Sequence, residues 1–338
     1  MKHSLTRSRF LAYLSFYLLF AAVVLCLAPF VGGESIDPAR VLSDLRSEQP
    51  SWSTDTKIFI DYRIPRILLG FLVGGSLALI GSVFQVIFRN PLAAPSTLGV
   101  TAAGSVGAFI SIAVPSLTFS WGPFSSVQLF ALIGSGLILF LIYLIARRSQ
   151  GLAMHTLLLA GVTTGIFCSA LVLLIQYLAR PDRLVEMTRW TMGGLDIVGY
   201  RHLAAILPFL MPGIGLLLMQ MPSLNHLALG EEMALGHGID VASVQRQSFW
   251  GGGLATAAAV SLAGPIYFVG LIVPHIVRRL TGFDHRLLLP ASFLAGGAFL
   301  VACDTLARTL FAPTEMPVGV ITAILGGPFF IYLLLKKR

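Results

Sequence analysis

The chain has few charged residues and little that could form a soluble surface. Only 11% of its 338 residues are Asp, Glu, Lys or Arg, whereas a soluble domain carries about 25%. Because 56% of the residues are apolar, most of the surface has to face lipid rather than water. The low charge content therefore argues against an ordinary soluble enzyme.

Cysteines and phosphate-binding motifs are also scarce. Cys26, Cys168 and Cys303 lie singly in apolar runs without CxxC spacing, which predicts packing residues rather than disulfides or metal ligands. The sequence contains no GxxxxGK[ST] motif, the loop that holds phosphate in P-loop ATPases. We therefore predict no catalytic residue, no metal site and no ATP hydrolysis in this chain.

The chain does contain a series of apolar runs of about 20 residues, the length that a helix needs to cross a bilayer. These runs do not alternate apolar and polar residues as barrel strands do, so the sequence predicts an all-α polytopic membrane protein. The first run follows a basic start and is long enough to be a span rather than a signal peptide. Ten spans are predicted, at about 10–31, 64–88, 97–117, 124–147, 154–178, 203–221, 241–263, 265–281, 287–309 and 316–335.

The net charge of +8 is explained by topology. Ten spans place both termini on one side, and a cytoplasmic N-terminus gives that side thirteen of the 23 cations against four acids. This excess follows the positive-inside rule, so nucleic acid is not a predicted partner. The thirteen cations are Lys2, Arg7, Arg9, Arg89, Arg147, Arg148, Arg246, Arg278, Arg279, Arg286, Lys336, Lys337 and Arg338.

Three polar segments connect the spans. Residues 32–62 and 179–202 are predicted periplasmic loops, and Asp37 followed by Pro38 predicts a short helix in the first of them. Residues 222–241 form a predicted cytoplasmic loop with two short helices, a turn at Gly236 and Gly238, and Asp240 starting the next helix. Such a compact amphipathic loop predicts a docking surface for another protein.

Several motifs occur in a fixed order along the chain. They are RIPR at 63–66, GSVFQVIFRNPLAAPSTLGV at 81–100, LLLAGV at 157–162, WTMGGL at 190–195, LALGEEMALGHGIDV at 227–241, GPIYFVGLIVPHIVRRLTGFDHRLLLP at 264–290, and the C-terminal DTLAR segment from 304. With these motifs, the chain resembles the iron-siderophore and cobalamin family of ABC-importer permeases over about residues 10–338.

The resemblance implies a type II importer fold in a single transmembrane domain, 1–338, in the bacterial inner membrane. It also implies three kinds of partner besides lipid: a second permease copy or paralogue, two cytoplasmic ATPase subunits and a periplasmic binding protein. No cofactor is expected in this chain, because the ATPase subunits bind ATP and magnesium.

The resemblance assigns a role to the loop at 222–241, where apolar side chains would bury in a groove of the ATPase. The apolar residues are Leu227, Leu229, Met233 and Leu235, while the two glutamates would meet water or basic partners. The complete predicted coupling loop comprises Leu227, Leu229, Gly230, Glu231, Glu232, Met233, Leu235, Gly236 and Gly238.

The resemblance also suggests a docking site for the binding protein. Arg63, Arg66 and Arg308 match arginines that pair with glutamates of the binding protein. Asp304 lies four residues before Arg308, so a local ion pair is the structural alternative for that arginine.

A cytoplasmic gate is implied at Asn90 and Leu92, with Met154 and His155 as its second half. The cobalamin importer has small hydroxyl residues at the last two positions, so this sequence departs from the family there.

The predicted cargo is a metal chelate, with a ferric siderophore first and haem, cobalamin or molybdate as alternatives within the family. An ion-coupled secondary transporter or channel is the alternative from another class. It is disfavoured because no span carries a clearly central charge of the kind that marks an ion relay. A membrane scaffold without transport activity is a third alternative.

Overall fold

The structure is a computed structural model that describes residues 6–47, 52–147 and 154–336, most of which are helical. Each predicted span overlaps a helix. In chain order the helices are α1 (Arg7–Leu27), α2 (Pro38–Arg46), α3 (Thr54–Lys57), α4 (Ile64–Ile87), α5 (Val100–Ala113), α6 (Ser126–Arg147), α7 (Met154–Leu178), α8 (Pro181–Met192), α9 (Arg201–Met219), α10 (Met221–Leu227), α11 (Glu231–Gly236), α12 (Val241–Ala263), α13 (Val269–Thr281), α14 (His285–Thr309) and α15 (Val318–Leu335). Two short strands, β1 (Ser120–Trp121) and β2 (Phe124–Ser125), form an antiparallel hairpin before α6.

Six of the described helical segments are long and apolar enough to cross a membrane. They are Arg7–Phe30, Thr54–Ile87, Ser126–Arg147, Met154–Leu178, Arg201–Met219 and His285–Thr309. The prediction of an all-α polytopic membrane protein is confirmed. The number of crossings and the side of the termini stay predictions.

Two predicted spans are longer than the helices that the chain forms there. The helix within 97–117, α5, has 14 residues and the helix within 265–281, α13, has 13, so each is only about 20 Å long. Proline shortens the first, because Pro95–Leu98 forms a separate 3₁₀ turn before Gly99. The second begins late, because residues 264–267 are not helical and Phe268 adopts a left-handed φ of 68°.

The predicted periplasmic loops contain more helix than expected. The helix predicted at Asp37 and Pro38 is confirmed as α2, with the Asp37 carboxylate accepting from the backbone N of Ala39 at 2.9 Å. However, residues 54–63 are helical and continue through the π-helical turn Ile58–Arg63 into α4, making one helix of 34 residues. The second segment, 179–202, contains α8.

The loop at 222–241 has the two short helices predicted for it, α10 and α11. The glycines that break the chain are Gly230 and Gly238, with φ of 131° and 76°. Gly236 was predicted to lie in the turn but is instead the last residue of α11. As predicted, Asp240 caps the next helix, since its side chain accepts from the backbone N of Ser243 at 3.0 Å.

The centre of the bundle is α4, which packs against α12, α13 and α14, and 83% of the residues in its most apolar stretch are buried. Glycines allow these backbones to approach. A Cβ on Gly74 would overlap the carbonyl oxygen of Gly296 on α14, and a Cβ on Gly81 would overlap that of Gly270 on α13. The rigid packing of α4 therefore depends on the absence of side chains at these positions.

We expect Gly81→Ala to destabilise the permease, because the backbone carbonyl of Gly270 cannot move aside as a flexible side chain could. Overpacking of this kind costs about 1–3 kcal/mol, which should lower the melting temperature measured by tryptophan fluorescence in detergent. Gly136→Ala is the matched control, because a Cβ at this position of α6 has no neighbour within 4 Å. Equal melting temperatures for the two variants would contradict this account of the packing.

The bundle has two distinct polar ends, because α4 begins at one and finishes at the other. We call the first the arginine end; it contains Arg63, Arg66 and Arg308 with the segment around Asp196. The second is the loop end, where Arg89 lies beside Leu229 of the predicted coupling loop and Arg278 at the end of α13. The predicted site residues are thus divided between opposite ends of one helix.

Candidate functional site

The arginine end is organised around Arg66, which is held by three carboxylates. Its Nη2 and Nε donate to both oxygens of Asp304 at 2.9 and 3.0 Å, and its Nη1 donates to Glu315 at 2.6 Å. Asp196 also lies 3.0 Å from Nη1. Asp304 is only 2% exposed, whereas Asp196 and Glu315 are about half exposed, so the network runs from the core to the surface.

The other two arginines predicted to dock a binding protein are also buried. The Nε of Arg308 lies 3.2 Å from Asp304 in an ion pair without hydrogen-bond geometry, so the local alternative noted for this residue is present. Arg63 is 5% exposed and donates to the carbonyl oxygens of Pro29, at 2.6 Å, and Glu34. Arg63 therefore differs from its neighbours because backbone carbonyls, not carboxylates, accept its hydrogen bonds.

All three arginines line one cavity of about 400 Å³, together with Asp196, Glu315 and the glycines at 32–33. Two hydrogen bonds join segments that form different parts of the cavity wall. The backbone N of Gly199 donates to the carbonyl oxygen of Asp61 at 2.7 Å, and the Tyr200 hydroxyl donates to the carbonyl oxygen of Ile60 at 3.0 Å. The cavity can accept polar or charged groups that reach into the arginine end.

At the loop end, the predicted coupling loop presents three apolar side chains and buries the fourth. Leu229, Met233 and Leu235 are 61%, 50% and 59% exposed. Leu227, predicted to enter a partner, is 2% exposed and packs in the core of this chain, because it is the last residue of α10 and faces the bundle. The exposed surface of the loop is therefore centred on α11 and Gly230.

The loop is connected to the end of α4 through Glu231. Its carboxylate lies 3.6 Å from the guanidinium of Arg89 and accepts from the side chain of Gln245 on α12 at 3.1 Å. Arg89 directly precedes Asn90, the first of the predicted gate residues. Glu231 therefore contacts both the segment that follows α4 and α12.

A second connection joins α10 to the start of α14. The side chain of Asn225 donates to Asp284 at 2.9 Å and accepts from the backbone N of His285 at 2.7 Å. Hydrogen bonds from the Arg286 side chain lower the pKa of Asp284 to about 2. Partial burial opposes this shift, and the hydrogen bond from Asn225 adds to it. The contribution of this carboxylate to stability is thus complete above pH of about 4 and is lost only as the pH falls through about 2, so the connection persists at neutral pH.

The predicted gate residues have different environments. Asn90 accepts from the backbone N of Leu92 at 2.9 Å, which stabilises a tight turn after Arg89, and Leu92 is 42% exposed. Met154 is buried and His155 is exposed, so they do not present a matched pair. The segment after Leu92 and the helix that begins at Met154 do meet, but at later residues, where Gly161 of α7 packs closely against the backbone of Thr97 and Leu98.

Several residues of these sites were missed by sequence reasoning. Asp196, Glu315, Asn225 and Asp284 join segments that lie far apart in the chain. Asp284 lies within the motif at 264–290, but no local pattern indicates the partner of any of the four. A weak signal existed for Asp196 and Glu315, because each lies beside a motif already noted, WTMGGL or the DTLAR segment.

A bundle of long apolar helices with charged clusters at its two ends is typical of an integral membrane protein. The sequence matches the FecCD transport family over residues 18–336. The chain belongs to that family.

Relatives in the family carry out related transport. The hemin transport system permease protein of Yersinia pestis is 37% identical, covering 85% of this chain and 87% of the relative. The cobalamin import system permease protein of Halobacterium salinarum is 45% identical, covering 82% of this chain and 73% of the relative. The iron(3+)-hydroxamate import system permease protein FhuG of Bacillus subtilis is 34% identical over 84% and 85% of the two chains.

The fold is also similar to a solved structure. A protein described as a metal-chelate type ABC transporter, captured in an inward-facing conformation, superposes with a TM-score of 0.83 at 29% identity, over 96% of this chain and 98% of the other. This match confirms the type II importer permease fold. The chain is therefore a membrane transport component of that class.

Proposed function

We propose that this chain is the transmembrane subunit of an ATP-driven importer that carries a metal chelate from a periplasmic binding protein to the cytoplasm across the bacterial inner membrane. The main support is the loop end, where an exposed apolar α11 is connected through Glu231 to the end of α4. A surface of this kind, in a chain without a phosphate-binding loop, is suited to receive force from a separate ATPase. ATP and magnesium would then be bound by that partner.

The leading cargo is a ferric siderophore, and haem, cobalamin and molybdate remain the alternatives. Relatives named for hemin, cobalamin and iron-hydroxamate transport support the metal-chelate class. Selectivity between these cargoes would reside in the binding protein, so its ligand affinities are the measurement that separates them.

The permease would act as a pair with a second copy or a paralogue. Much of α7 is exposed on this chain, including Leu159 and Ile166 at 69% each and Tyr177 at 85%. A partner helix on part of this surface and lipid on the rest would cover it. The mass of the purified permease, measured by light scattering with correction for detergent, should equal two chains rather than one.

Assembly with an ATPase tests the proposed function at the loop end. The purified permease in lipid vesicles should bind the ATPase subunit and change its rate of ATP hydrolysis. Met233→Asp should weaken this association, because it places a charge on the exposed apolar surface of α11. An ATPase whose binding and activity are insensitive to the permease would overturn the proposal.

The binding protein would dock at the arginine end. Arg66 and Arg308 already contact carboxylates of this chain. The hydrogen bonds of Arg63 go to carbonyl oxygens, which do not neutralise its positive charge, so Arg63 is the arginine best suited to an incoming glutamate. Asn90 and Leu92, with the region of Met154 and His155, would form the gate at the opposite end.

We expect Arg63→Gln to weaken binding-protein association by about 1 kcal/mol, or about fivefold in Kd, at low ionic strength. The difference should shrink as salt is added, because ions screen the attraction. Lys57→Gln removes an exposed cation from α3 and serves as the control for net charge. Equal affinities for Arg63→Gln and wild type throughout a salt titration would contradict docking at this residue.

A further inference from the structure

A cavity of about 430 Å³ lies at the loop end, lined in part by residues of the coupling loop that precede α11 but by no residue of α11 itself. The end of α4 supplies Arg89, the turn between α10 and α11 supplies Leu229 and Gly230, and Arg278 and Phe283 come from the region where α13 ends. The cavity therefore lies where the loop, the gate segment and α13 meet.

Arg278 has buried hydrogen-bond donors without acceptors. Its Nε and Nη2 atoms are inaccessible to solvent and make no hydrogen bond within residues 6–47, 52–147 and 154–336. The ring of Phe283 lies 5.9 Å from its guanidinium carbon, which is near the outer limit of a cation–π contact. Buried donors that lack an acceptor are costly, so this guanidinium is poised for an acceptor.

The two acids nearest to the cavity in the chain are engaged elsewhere. Glu231 lies against Arg89 and Gln245, and Asp284 is bound to Arg286 and Asn225. Among the described residues, those that line the cavity include two arginines and no carboxylate, and Arg89 is already paired with Glu231, which leaves the charge of Arg278. Its charge therefore favours an anionic occupant.

His285 adds a second buried polar atom on the cavity wall. It is 1% exposed, its Nδ1 lies 2.8 Å from the side-chain oxygen of Asn225, and its Nε2 has no hydrogen-bond partner in the described part of the chain. Because Asn225 holds the ring in place, the wall is a fixed polar surface rather than a collapsed gap.

The mouth of the cavity is apolar. Leu229 and Phe283 line it and are 61% and 62% exposed. A free anion would leave these side chains in water, whereas a protein partner would cover them and insert an acidic side chain between them. The rim therefore favours a folded protein over a small ion.

We propose that this cavity receives an Asp or Glu side chain of the ATPase subunit, whose carboxylate accepts hydrogen bonds from the guanidinium of Arg278. The inference rests on the proposed function, because it presumes that an ATPase docks at the loop end. It adds a specific contact: a charged anchor beside α11 that fixes the ATPase against α13. Arginine suits this role because its planar fork can bind both oxygens of a carboxylate.

The test compares Arg278→Gln with Arg279→Gln. The two variants remove the same charge from adjacent positions of α13, but Arg279 is exposed and does not line the cavity. Affinity for the purified ATPase subunit is measured in a maltoside detergent without added lipid. Arg278→Gln should bind at least about tenfold more weakly, equivalent to about 1.4 kcal/mol, and Arg279→Gln should remain within about twofold of wild type.

The melting temperature of the free permease separates docking from a structural role. Removal of a guanidinium whose two buried donors lack acceptors should leave that temperature unchanged or raise it, even as ATPase affinity falls. Arg278→Lys keeps the charge without the planar fork and should recover only part of the affinity. Restored binding between Arg278→Glu and an ATPase variant with one surface acid changed to lysine would identify the contacting residue.

Three results would overturn the inference. The first is equal ATPase affinity for Arg278→Gln and wild type. The second is a loss of ATPase affinity accompanied by a large fall in the melting temperature of the permease. The third is a loss of ATPase affinity that appears only in vesicles of anionic lipid. The third would show that a lipid phosphate, not the ATPase, occupies the cavity. If wild type itself does not bind the ATPase, the proposed function fails first, which is distinct from a wild-type complex that is indifferent to Arg278.

Discussion

Replacing Gly236 with tryptophan is expected to reduce chelate uptake by at least about tenfold while the permease remains folded. Gly236 ends α11 without a positive φ, and a Cβ built there meets nothing within 4 Å, so this chain can accommodate a side chain. The large indole would instead occupy the space where the ATPase is proposed to dock. Uptake and ATP hydrolysis are measured separately in proteoliposomes, and we expect hydrolysis to persist without transport.

Gly136→Trp is the matched control for this experiment. Gly136 is exposed on α6 and also has no neighbour within 4 Å of a Cβ, but it lies on a different helix from the coupling loop. Wild-type uptake by Gly236→Trp, with the protein inserted normally, would contradict the role of α11 in coupling.

The second large effect is expected from Asp304→Asn at the arginine end. This substitution keeps the shape of the side chain but removes the charge that Arg66 and Arg308 share, and all three side chains are at least 89% buried. Loss of one partner from a buried ion pair costs about 3 kcal/mol or more, because Arg308 then stays buried without a carboxylate and Arg66 keeps only its two more exposed partners. A marked fall in the detergent melting temperature should report this cost.

Glu315→Gln provides the comparison, since Glu315 binds the same guanidinium at 2.6 Å but is 49% exposed. An exposed pair contributes less than about 1 kcal/mol, so this variant should melt close to wild type. Similar melting temperatures for Asp304→Asn and Glu315→Gln would show that burial does not determine the strength of the network.

The sequence predicted the helices well because each depends on local composition. Apolar runs of sufficient length located a helix at each of the ten predicted positions, and Asp37 followed by Pro38 located α2 because an N-cap and a proline at the first turn act within a few residues. The length of α13 was predicted wrongly. Its start depends on the left-handed conformation of Phe268, which no preference of phenylalanine would suggest.

The sites were only partly predictable, because their geometry depends on residues far apart in the chain. RIPR drew attention to Arg66, but its partners Asp304 and Glu315 lie 238 and 249 positions away. Leu227 was also predicted wrongly for this reason. The local amphipathic pattern indicated a surface residue, but packing against distant segments buries its side chain in the core. Arg278 lies within the motif at 264–290 and among the predicted cytoplasmic cations, but its proposed role follows only from the cavity that it lines.

Uptake by reconstituted proteoliposomes tests the central claim most directly. The permease is combined with its ATPase subunit and its binding protein, and accumulation of a radiolabelled ferric chelate is followed with ATP or with an imposed proton or sodium gradient. The account predicts accumulation that requires ATP, the ATPase and the binding protein together, with no response to a gradient alone. Uptake driven by an ion gradient through the permease without the ATPase would contradict it.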